Sequence, residues 1–372
     1  MGGAGFPPSF LVAKERLFVQ KAEVSLSGLG MAVTASFVLS VVACFVVKGI
    51  ARRLRLVDVP NERSLHEVPV PRLGGVAILL SAGIVLAAAN GVLPVLGQRD
   101  VEAWLIGASV IAALGFVDDV WRLPSLLRLL IQVAVVAGVL RAVLRPGSFE
   151  VASGLRVQVS PDVALAPSVI FVVATTNIFN FMDGMDGLAA TQTLAAGIAL
   201  AAGAALAGQS DLTLIALVIA AAAGGFFVHN APRASLFLGD AGSTVLGFTF
   251  GTLAILASMR PSPVPFAVVP LALSPFLLDG TFTILRRLRH GERIWRAHRT
   301  HLYQRAVATG LTHRDVLKVY VLWSAVAAAG AVLAVGRGLP GTLVIGFAMA
   351  LGLGMVWQWV VRRETGAARN LH

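Results

Sequence analysis

From Leu188 to Leu206 the chain reads LAATQTLAAGIALAAGAAL, without one charged side chain, and stretches of this kind follow one another through most of the sequence. Lipid offers no water to pair with exposed backbone N–H and C=O groups, so such runs must be helices that satisfy their own hydrogen bonds. About 20 apolar residues cross a bilayer. Scanning on that length between polar, Pro and Gly breaks gives about eleven spans, beginning near Leu29, Leu73, Ala103, Leu126, Val163, Leu188, Leu212, Ser243, Val264, Leu317 and Leu339. The expected fold is an all-α, polytopic transmembrane helical bundle with polar loops at one face. Of 372 residues 57% are hydrophobic and 13% charged, with a mean hydropathy of +0.82, more apolar than a soluble globular chain.

Residues 1–28 are expected to be a short polar extension, 29–363 a single integral-membrane domain and 364–372 a tail. MGGAGFPPSF lacks a basic stretch followed by an apolar one, so no cleaved signal peptide is expected. The longest polar connection, Arg286 to Arg314, leaves room for a short helix but not for a soluble domain. The one cysteine, Cys44, lies in an apolar run, which excludes a disulfide scaffold and a cysteine-based zinc site.

The formal charge of +11 would suggest nucleic acid in a soluble protein. Here most arginines flank apolar spans, where basic residues set topology and meet lipid headgroups, so no nucleic-acid partner is expected. Alternating the spans puts Lys48, Arg52, Arg53, Arg55, Arg63, Arg72, Arg122, Arg286, Arg287, Arg289, Arg293, Arg296, Arg299, Arg305 and Arg314 on one side. The other side keeps few, such as Arg99, Arg145, Arg156, Arg260 and Arg337. The rich side is read as cytoplasmic.

Five polar segments share that side: RSLHEVPVPRLGG, DDVWR, NIFNFMDGMDG, FLGDAGS and RAHRTHLYQR. Asp118, Asp119, Asp183, Asp186 and Asp240 would repel one another at a membrane edge unless a cation sits among them. Oxygen ligands without cysteine favour Mg²⁺ or Mn²⁺. Asn177, Asn180, Asp183 and Asp186 are spaced by three, which at a helix end sets them along one drifting stripe, while Gly184 and Gly187 let backbone approach a ligand. Arg296, His298, Arg299, His301 and Arg305 supply the opposite sign, suited to phosphate. Acid with metal, facing Arg and His, is equipment for phosphoryl transfer. Each cluster alone has a plainer explanation: a solvated span end at Asp118 and Asp119, a helix cap at Asp240, a basic surface loop at His298 to His301. Together on one face they point to a site.

In order and spacing, the DD pair, NxxNxxDGxDGL, FxGDxGS and a late His-containing loop resemble the polyprenyl-phosphate N-acetylhexosamine-1-phosphate transferases, over nearly the whole chain from about Leu29 to Arg363. The resemblance implies ten or eleven spans in a bacterial inner membrane, with a cytoplasmic active site. It implies transfer of a sugar-1-phosphate, of N-acetylhexosamine or 6-deoxy type, from a UDP-activated amino sugar to undecaprenyl phosphate, with release of UMP. Asp118, Asp119, Asp240 and His298 would then be catalytic, and Asp240, Asn180 and Asp119 would hold Mg²⁺ or Mn²⁺. Substrate would be bound by Asn177, Asn180, Asp183, Asp186, Phe237 (stacked on uracil), Arg299, His301 and Arg128, the last standing where several relatives carry a phosphate-binding Lys. AHRTHLYQR departs from the three-His run of the muramyl-pentapeptide translocase and looks more like the O-antigen-initiating branch. A homodimer stays open. The rival reading is a transporter or flippase of lipid-linked sugars, for which Arg128, Arg141 and above all Asp279 are the carrier-like residues.

Overall fold

The computed structural model describes residues 26–60, 68–90, 98–145, 147–292 and 299–369. In chain order the elements are α1 (Leu26–Arg53), β1 (Val57–Asp58), β2 (Val70–Pro71), α2 (Gly74–Ala89), α3 (Arg99–Trp121), α4 (Ser125–Val143), β3 (Gly147–Ala152) and β4 (Leu155–Val159). They continue with α5 (Pro161–Met182), α6 (Leu188–Leu206), α7 (Ser210–Asn230), α8 (Asp240–Ser258), α9 (Val268–Ala272), α10 (Ser274–Arg289), α11 (Leu302–Ala308), α12 (His313–Ala334) and α13 (Gly338–Arg369). The chain is an all-α, multi-pass membrane bundle.

Among the described residues nine helices are long and apolar enough to cross a bilayer. Two of the expected spans differ. Helix α2 has 16 residues, about 24 Å at 1.5 Å per residue, short of the ~30 Å hydrocarbon layer. The span expected from Val264 is divided at Leu273 into α9 and α10, with Pro275 in the first turn of α10, where its missing N–H costs nothing. A second departure is the antiparallel hairpin β3–β4, which pairs Ser148 with Gln158 and Phe149 with Val157. Glu150 stabilises it by accepting from Gly154 N at 2.7 Å and from Arg156 Nε at 2.6 Å.

Helix α8 is the axis of the bundle. Its apolar window is wholly buried, and it packs against α3 and α5. Between lipid-embedded helices there is no hydrophobic gain from mere contact, so close backbone approach through small residues holds the seam. A Cβ on Gly115 of α3 would lie 2.6 Å from Cα and N of Ala241, and one on Gly75 of α2 would lie 2.2 Å from Cα of Gly242. Along the α1–α7 seam, Ser36 Oγ donates to Val218 O at 2.8 Å and Ser40 Oγ to Ala222 O at 2.6 Å.

Gly115→Ala should therefore push α3 off the start of α8 and destabilise the bundle by about 1–3 kcal/mol, the usual cost of overpacking. Gly138→Ala, with nothing within 4 Å of the added carbon, is the control. Thermal melting in detergent should show a lower Tm for the first variant only.

Candidate active site

The site is assembled where the ends of α3, α4, α5 and α8 meet. Asp118 and Asp119 close α3, whose last turn is stopped by Arg122 in the left-handed region. Asp118 is 7% exposed, accepts from Leu123 N at 2.7 Å and pairs with Arg128 of α4. The same guanidinium nitrogen donates to Asp240 Oδ2 at 3.3 Å. Arg128 therefore bridges two carboxylates that come from helices far apart in sequence.

Asp119 turns the other way. Its Oδ1 accepts from Asp240 N at 3.1 Å and its Oδ2 from Ala241 N at 3.2 Å. The first N–H groups of a helix have no partner within it and carry its positive pole, so a carboxylate from α3 caps α8. The cap is needed because Gly239, the residue before α8, has no side chain to provide one. Gly239 has φ +79°, and a Cβ there would meet Asp119 Oδ2 at 2.8 Å. The GD dipeptide thus combines a left-handed turn with the close approach of Asp119.

From α5, Asn180 Nδ2 donates to Asp240 Oδ1 at 3.0 Å and to Ser243 Oγ at 2.9 Å. Asn177, one turn deeper, donates from Nδ2 to Val173 O and to Gln132 Oε1, both at 2.8 Å. A carbonyl only accepts, so Val173 fixes which way the Asn177 amide faces. Both amide nitrogens are committed, and what Asn177 and Asn180 present to a ligand is carbonyl oxygen. Asp183 caps the C-terminus of α5 and is half-buried. Removed from bulk water and facing Asp240 and Asp119, its carboxyl is pushed well above the ordinary range, against the pull of Arg72.

The acidic stripe does not extend to Asp186. Helix α5 ends at Met182, and the chain turns through Gly187 at φ +75°. Asp186 accepts from Ala234 N at 2.9 Å and lies 3.6 Å from His313 Nδ1. It fastens the loop before Phe237. Asn230 helps, accepting from Gly187 N at 2.9 Å and donating to Leu236 O at 3.0 Å. Phe237 is set against Arg72 by a parallel bridge. Sequence spacing gave no sign of Gln132 or Asn230 as members of this assembly, because both are recruited by contact rather than by motif, whereas Ser243 and Arg72 lie in the FLGDAGS and RSLHEVPVPRLGG segments but had been given no role there.

His298 lies outside the described residues. Arg299 is exposed. His301 is buried, with Nδ1 3.6 Å from Asp279 Oδ1 and its ring 6.5 Å from that of Phe181, next to Asn180. Asp279, the carrier-like residue, is a latch: it accepts from Leu302 N at 2.9 Å, Thr283 Oγ1 at 3.2 Å and Tyr320 OH at 2.6 Å. It holds the start of α11, and hence His301, onto α10 and α12. Arg305, grouped with His298 to His301 on charge, is turned away: it donates to Glu364 at 2.8 and 2.6 Å and lies over the Trp357 ring. On a helix, Tyr303 and Arg305 project to different sides, and Tyr303 OH is the one that reaches Phe181 O, at 3.3 Å.

Among the described residues no three His, Cys or acidic side chains form a ready-made metal cage. The donor set still suits a hard divalent cation. Of the three expected ligands, Asp240 and Asn180 present oxygen, whereas both oxygens of Asp119 accept from Asp240 N and Ala241 N; Mg²⁺ is usually held by one or two carboxylates with water and phosphate completing the sphere.

Comparison with known proteins matches residues 101–258 to the model of glycosyl transferase family 4. This stretch runs from the first turn of α3 to the end of α8 and includes the DD, NxxNxxDGxDGL and FLGDAGS segments. The chain is 30% identical over 298 residues to the probable undecaprenyl-phosphate N-acetylglucosaminyl 1-phosphate transferase of Bacillus subtilis (strain 168), covering 78% of this chain and 82% of that protein. It is 32% identical over 340 residues to the decaprenyl-phosphate N-acetylglucosaminephosphotransferase of Mycobacterium tuberculosis (strain ATCC 25618 / H37Rv), covering 83% and 82%. The undecaprenyl-phosphate alpha-N-acetylglucosaminyl 1-phosphate transferase of Escherichia coli (strain K12) is 26% identical over 308 residues, covering 80% and 82%. With its three motifs built into one assembly and these relatives matched over most of their length, the chain belongs to glycosyl transferase family 4, the polyprenyl-phosphate N-acetylhexosamine-1-phosphate transferases.

Proposed function

We propose that this protein transfers a sugar-1-phosphate from a UDP-linked amino sugar, of the N-acetylglucosamine type that its relatives' names carry, to undecaprenyl phosphate or a similar polyprenyl phosphate. UMP is released, and the product is a lipid-linked sugar pyrophosphate that starts a cell-envelope glycan such as an O-antigen. The arginine distribution supports a site on the cytoplasmic side of the inner membrane. The observation that carries the reading is the convergence on Asp240 of Arg128, which also pairs with Asp118, and of Asn180, through hydrogen bonds.

An oxygen of the lipid phosphate attacks the phosphorus that bears the sugar. The new P–O bond forms as the bond from that phosphorus to the UMP oxygen breaks, and UMP leaves with the electron pair. A phosphate monoester has its second pKa at about 6 and is largely ionised at neutral pH, so no strong base is required. Asp118 and Arg128 position the acceptor phosphate, and Arg128 also offsets charge between the two carboxylates. Asp240 and Asn180, with Asp119 fixing the backbone beneath them, are the residues to hold Mg²⁺ or Mn²⁺. When bound, such an ion neutralises the diphosphate and the departing UMP. His301, Arg299 and His298 belong to the loop assigned to the sugar-bearing phosphate, and Asp279 holds His301 and Leu302 in place. The docking role argues against a carrier, which would use a buried acid as a mid-membrane relay.

Asp240→Ala and Asp118→Asn should each lower turnover by about a hundredfold or more, the scale of one lost electrostatic group. UMP release from undecaprenyl phosphate and a panel of UDP-amino sugars measures this, and near-normal release by either folded variant would contradict the assignment. A chelator should abolish activity, and added Mg²⁺ or Mn²⁺ should restore it. Asp279→Ala orphans the buried donors of Leu302 and Tyr320 at about 1–3 kcal/mol each. It should lower both Tm and turnover, whereas solute flux without nucleotide release would favour a transporter.

A further inference from the structure

Arg72 stands outside the motifs that define the site, yet its guanidinium is the second cation at the aspartate cluster. We propose that Arg72 is a donor-binding residue that takes the diphosphate of the nucleotide sugar, an inference that rests on the transferase reading above.

Three observations place it. First, β1 and β2 form a short antiparallel strap, and the strap runs on into a parallel bridge between Arg72 and Phe237. Phe237 N donates to Pro71 O, and Gly74 N to Phe237 O, both at 2.8 Å. Bridged residues send their side chains to the same side of the paired backbones, so Arg72 leaves the strap on the side of Phe237, the residue assigned to the base. A diphosphate attached to that nucleoside must pass close by.

Second, the guanidinium is tethered on one side and loosely held on the other. Arg72 Nη2 is 2.6 Å from Asp58 Oδ1, while Nη1 is 3.8 Å from Asp119 Oδ1, and 32% of the side chain is exposed. Asp119 already accepts two backbone N–H bonds from Asp240 and Ala241. The long contact to Asp119 is weak at this exposure, and a phosphate oxygen can replace it at little cost. A guanidinium matches phosphate with paired donors.

Third, the charge pattern supports it. Arg128 serves Asp118 and Asp240, and Arg72 lies within electrostatic reach of Asp119 and Asp183. Asp118, Asp119 and Asp240 would repel an anionic diphosphate, and Arg128 and Arg72 are the guanidiniums set against them. Since the two arginines contact different carboxylates, they suit different phosphates, with Arg128 on the acceptor and Arg72 on the donor.

The test compares wild type, Arg72→Gln and Arg72→Lys with UDP-N-acetylglucosamine and undecaprenyl phosphate in detergent, with Tm recorded for each. Arg72→Gln should raise the KM for the donor by about tenfold or more, as expected for a lost charged hydrogen bond, and leave the KM for the lipid within twofold. Arg72→Lys should recover part of the loss. By calorimetry, Arg72→Gln should weaken binding of UDP and leave that of uridine unchanged. Unchanged donor KM and UDP affinity in a folded Arg72→Gln would overturn the proposal. So would equal losses for UDP, uridine and lipid, which would mark Arg72 as a strut for the strap. Wild type that neither releases UMP nor binds UDP would instead overturn the transferase reading and this inference with it.

Discussion

The site depends on the capping of α8 by a carboxylate from another helix. Asp119 receives the first two N–H groups of α8, and this fixes Asp240 at the level where Arg128 and Asn180 can reach it. The interaction is favourable because it joins unpaired backbone donors and a helix pole to a charge in a water-poor setting. It also fixes register. Gly115 and Gly239 remove the side chains that would keep α3 and the start of α8 apart, so the DD pair and the GD turn are two halves of one joint.

Around that joint the polar groups fall into layers. Nearest the membrane interior, Gln132 and Asn177 pair with each other. One turn outward, Asn180 and Arg128 converge on Asp240. Outside these, the loop fastened by Asp186 and Asn230 carries Phe237, and the latch at Asp279 carries His301. Each layer uses groups whose hydrogen-bonding capacity is mostly spent on the protein, which leaves a few oriented atoms for a ligand.

Much of this was legible in the sequence because the bilayer restricts the solutions so strongly. Apolar runs of sufficient length had to be helices, and α6 begins at Leu188, the residue expected from the pattern. Asp118, Asp240 and Asn180 could be named because short motifs place them at span ends. Length alone failed where a break was local: Pro275 divides one span, and α2 stops at 16 residues. The β3–β4 hairpin was missed although LRVQV alternates apolar and polar residues, because a scan for runs of membrane-spanning length passes over so short an alternation. Charge grouping misplaced Arg305, since sequence proximity to His301 does not say which side of α11 a residue faces. Asp279 is carrier-like in sequence because the partners that complete its hydrogen bonds, Tyr320 and the Leu302 amide, are distant along the chain.

The shortness of α2 bears on the depth at which the site sits in the membrane edge. A helix of about 24 Å beside spans that match the full ~30 Å layer forces the bilayer to thin there, or draws the polar strap at its start below the headgroup plane. Either adjustment lowers Arg128 and the aspartates it pairs with toward the level of lipid headgroup phosphates. The prenyl chain then need not leave the hydrocarbon for its head to react, and the step of extracting a greasy substrate into water is avoided by geometry.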